Sequence, residues 1–299
     1  LNRAKERFLD KQTERFDENE IGIGELGNKR RHLKQLCEVR FGNRFVGDMC
    51  LDDITHELLN EVVRRAMSVN RSKKTVRRAF VTIKQMLTWC THHGWLLRSP
   101  AEGIKISLAN EPFKDLRRIV PSEMTAVINA ASPKYRREIM FAAYTGLRAG
   151  EQVALTWDHI DFEYGYVKVR QARKWGGALG PPKTDKGIRD IRMSNVVAQM
   201  LRKWKMEQPI QMRGNNFVFP TTFGSMADSG NWRKRGLQPS CANAVWTPDI
   251  MVQLPKRVEQ MKWKDLRNFY ASVLIFSKKV SDAEIAAMLG HSSLDFTYH

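Results

Sequence analysis

The chain has 299 residues, 42% hydrophobic and 27% charged, which is globular composition and enough length for two compact domains rather than one. Lys and Arg outnumber Asp and Glu by 50 to 32, a formal charge of +18, so the molecule's field attracts polyanions, with nucleic acid the leading partner. No apolar run reaches membrane-spanning length, no secretory leader opens the sequence, and Cys37, Cys50, Cys90 and Cys241 are too scattered for a zinc motif or a dense disulfide framework. The expected location is therefore a reducing cytoplasm, in association with DNA. The start at Leu1 and the stop at His299 suggest a fragment trimmed at one or both ends.

Across residues 27–95 apolar side chains recur every three or four positions, which predicts several helices. Leu33, Leu36 and Cys37 make one apolar face, and Leu58, Leu59, Val62, Val63 and Ala66 form the stripe of a helix over about 54–67. A third helix is predicted over 72–90, with Val76, Phe80, Ile83 and Leu87 on one side. Six basic residues and no acid lie between 71 and 84. Lys73, Lys74, Arg77, Arg78 and Lys84 are therefore a candidate phosphate-tracking surface, although a solvated helix face carries the same pattern.

Gly94 closes that helix, and turn chemistry at 99–103 precedes a stretch without periodicity. The expected division is a helical DNA-binding domain over 1–106, a linker over 107–120 and a second domain over 121–299. The second domain opens on a helix carrying Met124, Val127 and Ile128, with Ser122 as the expected N-cap. Alternation over 166–170 and again over 188–193 predicts two strands of a small sheet joined by a Gly-rich connection at 176–180. Helices resume near Asn195, while 221–263 reads as irregular chain with an embedded helix. The fold class is mainly α with a small β-sheet in the second domain.

Four segments carry chemistry. Thr145-Gly146-Leu147-Arg148, with Glu151 just beyond and Leu155 to Asp161 following, sits between an apolar helix ending near Tyr144 and another expected over 153–157. Lys183-Thr184-Asp185-Lys186-Gly187-Ile188-Arg189 lies on the turn and returning strand of the expected hairpin. Lys264-Asp265-Leu266-Arg267 precedes an apolar helix over 269–275, and Leu289-Gly290-His291-Ser292 follows a helix with glycine as its C-cap. In this order the four resemble the tyrosine-recombinase (phage integrase) family over the second domain, while the first domain matches only as a helical, basic core-binding domain.

The resemblance implies that Arg148 and Arg267 bracket the scissile phosphate, because planar guanidinium groups donate paired hydrogen bonds to its oxygens as charge builds. It implies that Lys183 is the general acid for the departing 5′ oxygen, with Lys186 a neighbouring rival that also contacts DNA, and that His291 hydrogen-bonds the phosphate. Lys264 stands where the family usually has histidine; it can donate a hydrogen bond but is a poorer base near neutral pH. The family's nucleophilic tyrosine normally lies nine residues after the histidine, one position past His299, whereas Tyr298 lies only seven after it. Counting favours a tyrosine beyond His299, and a shifted register would make Tyr298 the nucleophile.

What the resemblance implies for function is site-specific recombination of double-stranded attachment sites by a homotetramer, in a phage or other mobile element. It implies no metal or nucleotide cofactor and no membrane. Two other readings use the same residues: a type IB topoisomerase-like nicking-closing enzyme, and a relative without a placed tyrosine that acts by binding DNA alone.

Overall fold

The computed structural model describes residues 1–18, 20–68, 72–107, 119–174, 176–182, 184–245 and 261–290, and the chain divides into two compact units, Leu1–Asp115 and Leu116–His299. Among the described residues no helix is long and apolar enough to cross a membrane.

The first unit is built from α1 (Asn2–Asp17), α2 (Ile23–Cys37), α3 (His56–Ser68) and α4 (Lys73–His92), with a two-residue-per-strand hairpin, β1 (Arg40–Phe41) and β2 (Arg44–Phe45), after α2. The apolar stripes meet in one core that includes Phe8, Leu33, Leu36, Leu59, Phe80, Met86 and Leu87. Ser72 caps α4 by accepting from the Thr75 N–H, which satisfies one of the donors a helix start leaves open. The rest of that helix follows its sequence pattern: Val76, Phe80, Ile83 and Leu87 are buried, while Lys74, Arg77, Arg78 and Lys84 are exposed.

The second unit opens with α5 (Pro121–Ala130) and α6 (Pro133–Thr145), followed by the short α7 (Ala149–Val153). The expected Ser122 cap is corrected. Val120 is the N-cap, Pro121 takes the first helical position, where its missing N–H costs nothing, and Glu123 accepts the Val120 N–H at 2.9 Å. The helix expected over 153–157 is corrected as well, because α7 ends at Val153 and the Trp157 N–H bonds the Asn216 carbonyl instead of continuing a helix.

A three-stranded antiparallel sheet follows, with β4 (Tyr166–Val169) between β3 (Ile160–Asp161) and β7 (Arg189–Arg192). Val167 pairs with Ile191 and both are fully buried. Between β4 and β7 the chain forms a separate hairpin of β5 (Ala172–Arg173) and β6 (Leu179–Gly180). The return strand begins at Arg189, and Ile188, expected within it, is an exposed residue before it.

Helix α8 (Asn195–Glu207) covers the core with Val197, Leu201 and Trp204. The embedded helix is one continuous run made of α9 (Ser229–Asn231), a π-helical stretch (Trp232–Leu237) and α10 (Gln238–Asn243). The last two helices are α11 (Trp263–Ser277) and α12 (Asp282–Leu289). The Lys264 to Arg267 segment therefore forms the first turn of α11 rather than preceding a helix, and Asp265 accepts the Lys262 N–H at 2.8 Å to start it.

Candidate active site

Three of the four sequence segments converge within the second unit. Helix α6 ends at Gly146 in the left-handed region, φ 64°, and Arg148 immediately starts α7. A side chain at Gly146 would press on the Tyr270 ring at 2.5 Å, so glycine is required both by the backbone and by the packing of α11. Helix α12 ends in the same way at Gly290, φ 62°, where a Cβ would meet the Lys186 carbonyl at 2.6 Å. The turn before His291 and the loop after Lys183 are thus in direct contact.

The C-terminus of α12 is where the cations collect. Its last carbonyls have no helical partner and carry the negative end of the helix dipole. Arg189 Nε donates to the Met288 carbonyl at 2.7 Å, Arg267 Nη2 donates to the Leu289 carbonyl, and Arg148 Nη2 donates to the Gly290 carbonyl at 2.9 Å. Three arginines from three different elements thus bond three consecutive carbonyls. Arg267 also donates Nη1 to the Gly146 carbonyl at 2.9 Å, which ties the turn before Arg148 to the same cluster.

Glu151 offsets part of that charge. Its Oε1 accepts from Arg148 Nη1 at 2.8 Å and Arg189 Nη1 at 3.2 Å. Its Oε2 accepts from the Arg148 backbone N–H at 2.9 Å and Arg189 Nη2 at 2.8 Å. Burial alone would raise this carboxyl, but the hydrogen bonds and charges of Arg189 and Arg148 outweigh it and hold Glu151 below the usual carboxylate range. Arg267 is pushed the other way. Burial first, then the like charges of Arg148 and Arg189, lower it to about 9, which still leaves it cationic at neutral pH.

The side chains differ in access. Arg148 is 40% exposed, whereas Glu151 beneath it is 2% exposed and Arg189 5%. A guanidinium has five N–H donors, and the side-chain bonds above occupy two in Arg148, so it can hold its neighbours and an incoming anion at once. Lys264 is exposed on the first turn of α11, and no described hydrogen bond joins it to the cluster. Lys186 is exposed and contributes its backbone to the Gly290 contact. Lys183, His291 and Tyr298 lie outside the described residues.

The β5–β6 hairpin is anchored against α7. A Cβ on Gly150 would meet the Arg173 carbonyl at 2.9 Å, and Arg173 pairs with Asp228, the cap of α9, at 2.8 Å. In the first unit Lys74, Arg77, Arg78 and Val81 line a shallow 290 Å³ depression along α4. Lys73 is half-buried, and the charge of Lys84 also acts on Glu102. Sequence reasoning placed Arg189 at the end of the Lys183 segment but gave it no role. Its signal was its place on the same strand face as Ile191 and Met193, where a charge can be buried only with partners.

The phage integrase family pattern matches residues 116–299. Among curated proteins, the chain is 29% identical over 139 residues to the prophage integrase IntR of Escherichia coli K12, covering 46% of this chain and 33% of that one. It is 24% identical over 254 residues to a XerC-like tyrosine recombinase of Caldanaerobacter subterraneus, covering 76% and 61%. The chain thus spans from about a third to about three-fifths of the length of these relatives. Its fold is that of the Tn1549 transposon integrase in complex with transposon right end DNA, with TM-score 0.76, 17% identity and coverage of 97% and 92%. A lambda integrase dimer bound to a COC′ core site gives TM-score 0.67 at 15% identity, with 100% and 94% covered. A lambda integrase tetramer bound to a Holliday junction gives 0.65 at 16% identity, with 98% and 76% covered.

Proposed function

This chain belongs to the phage integrase family, and from that premise we propose that it is a site-specific recombinase that cuts and rejoins duplex DNA through a 3′-phosphotyrosyl intermediate. The observation that carries the proposal is the gathering of Arg148 and Arg267 on adjacent carbonyls at the C-terminus of α12, one residue before His291. Two fixed guanidinium groups at one point are what a pentacoordinate phosphorane needs, because its extra negative charge must be met by donors already in place.

In the proposed reaction a tyrosine oxygen attacks the phosphorus, losing its proton to a base, and the 5′ oxygen leaves with a proton from Lys183. The phosphotyrosyl bond conserves the energy of the broken phosphodiester, so the reverse attack by a 5′ hydroxyl reseals a strand without ATP. Arg148 and Arg267 hold the non-bridging oxygens, His291 adds a further donor, and Lys264 donates from the edge of the site. The nucleophile is Tyr298 or a tyrosine one position past His299. The α4 cations track phosphates of the duplex, and the assembly that exchanges strands is a homotetramer on paired attachment sites.

The test is relaxation of a supercoiled plasmid in EDTA, with covalent adducts trapped by SDS. It compares the 299-residue chain, its Tyr298→Phe variant and the chain extended by its native downstream residues. Adducts formed only by the extended chain place the nucleophile beyond His299; adducts of the short chain that vanish in Tyr298→Phe make Tyr298 the nucleophile. No adduct from any form, with the flanking attachment DNA supplied, overturns the enzymatic reading in favour of DNA binding alone.

A further inference from the structure

We infer that Arg189 is a positioning residue that keeps the charge of Arg148 available to the scissile phosphate by neutralising Glu151 from the opposite side; the inference rests on the recombinase reading above. A carboxylate buried next to a single arginine makes a closed ion pair, with both Nη groups turned to its two oxygens and the pair electrically neutral. In this site that closed pair belongs to Arg189, whose Nη1 and Nη2 meet Oε1 and Oε2 of Glu151 at 3.2 and 2.8 Å. Arg148 keeps one Nη on Glu151 and directs the other to the Gly290 carbonyl, on a side chain that remains partly exposed. Two arginines over one carboxylate leave a net positive charge, and its exposed share sits on Arg148.

Strand register does not require an arginine here. Strand β7 is already paired to β4 along four residues and buries Ile191, with Met193 buried just beyond its end. The guanidinium instead reaches across to α7 through Glu151, to α12 through the Met288 carbonyl, and back to its own loop through the Gly187 carbonyl at 2.9 Å. The loop at Gly187, the helix start that carries Arg148 and the end of α12 are therefore referenced to one side chain. Removing its charge would pull Arg148 wholly onto Glu151 and leave the phosphate's developing charge unmatched.

The experiment uses the full-length protein from its native reading frame and measures single-turnover adduct formation on a duplex carrying its attachment site. One duplex has a normal phosphodiester at the cut and another an uncharged methylphosphonate. Arg189→Met should bind DNA as the parent does and react about 100-fold more slowly on the phosphodiester, the scale of losing one transition-state donor. On the methylphosphonate, where no phosphate charge needs matching, the gap should shrink to a few-fold. Arg189→Lys, which keeps the charge, should recover most of the rate. The double variant Glu151→Gln with Arg189→Met, which removes both charges and frees Arg148, should outperform Arg189→Met.

An equal defect on both substrates, or a double variant no better than Arg189→Met, overturns the inference, as does a rate loss that tracks the melting temperature across the set. Should Arg189→Met fail to fold, Arg189→Gln, which removes the charge but keeps hydrogen-bonding groups, takes its place in every comparison. A parent protein that forms no adduct overturns the recombinase reading itself, which is a separate outcome.

Discussion

The arginines around Glu151 and the cations along α4 carry the same charge under opposite physics. Arg189 and Arg267 are buried, each fixed by carbonyl oxygens, with Glu151 bonded to one and acting on the other by charge. Lys74, Arg77 and Arg78 are exposed on one helix face. A buried cation has shed its water and can be held in one geometry, so it serves a step in which charge develops at a single point. An exposed cation keeps its water and its rotamer freedom, so it serves an extended polyanion through many small, salt-sensitive contributions. On the proposed reading one sign of charge is put to two tasks, and burial decides which.

Removing arginines from the buried cluster should have the largest effects and should divide them by burial. Arg148→Ala and Arg267→Ala should each cut covalent attachment by about 10²–10³-fold, as expected for a lost transition-state donor, while DNA affinity falls much less. Only Arg267→Ala should also lower the melting temperature, because it strips donors from the Gly146 and Leu289 carbonyls in the interior, whereas Arg148 is partly solvated. Gel quantification of adducts alongside thermal melts checks both halves. Undiminished attachment in either variant would remove that residue from the proposed chemistry.

The second unit also holds an acid that lacks what Glu151 has. Glu138 is buried on α6, and its Oε2 has no hydrogen-bond partner among the described residues. Burial raises its pKa from 4.5 to about 7 against the opposing effects of its own backbone N–H, Arg137 and Lys134. Below pH 4.5 the carboxyl is neutral in folded and unfolded chains alike. Between 4.5 and about 7 the unfolded chain gives up its proton while the folded one keeps it, so stability falls as pH rises through that window. Glu138→Gln should therefore stabilise the protein at pH 8 by about 2–3 kcal/mol and flatten the profile, with little change at pH 4. Urea titrations at the two pH values measure this; an equal shift at both would mean that the gain does not come from the proton.

Much of this division between solvated and buried charge was legible in the sequence, where apolar spacing was clean. The α4 pattern separated Val76, Phe80, Ile83 and Leu87 from the cations because 3.6-residue periodicity sorts the two faces directly. Helix α1 was not legible: it buries Ala4, Phe8 and Gln12, and a stripe with one large apolar residue does not stand out. The helical run over 229–243 was blurred because its buried Trp232 and Leu237 are five apart, the spacing of its π-helical stretch, before four-residue spacing resumes at Cys241. The Thr145 to Arg148, Arg267 and Gly290 segments could be named from their order. Their common meeting point could not, because three consecutive carbonyls of one helix end are backbone groups and leave no mark in residue identity.

The smallest expected effect belongs to the α4 face, and it sharpens the comparison most directly. If Lys74, Arg77 and Arg78 each neutralise a phosphate, any one alanine substitution removes one counterion-release contribution, and the slope of log affinity against log salt should become shallower by about one. At moderate salt that corresponds to a loss of roughly 3–10-fold in affinity, near-uniform across DNA sequences. Once the variant is saturated with DNA, adduct formation should match the parent, since the loss of one solvated phosphate contact alters occupancy and not the barrier. Fluorescence anisotropy over a salt series, followed by single-turnover cleavage at saturation, separates the two quantities. An unchanged salt slope would return α4 to an ordinary solvated face and leave phosphate tracking to other cations. A reduced slope with a reduced saturated rate would mean that α4 also helps to place the duplex over Arg148.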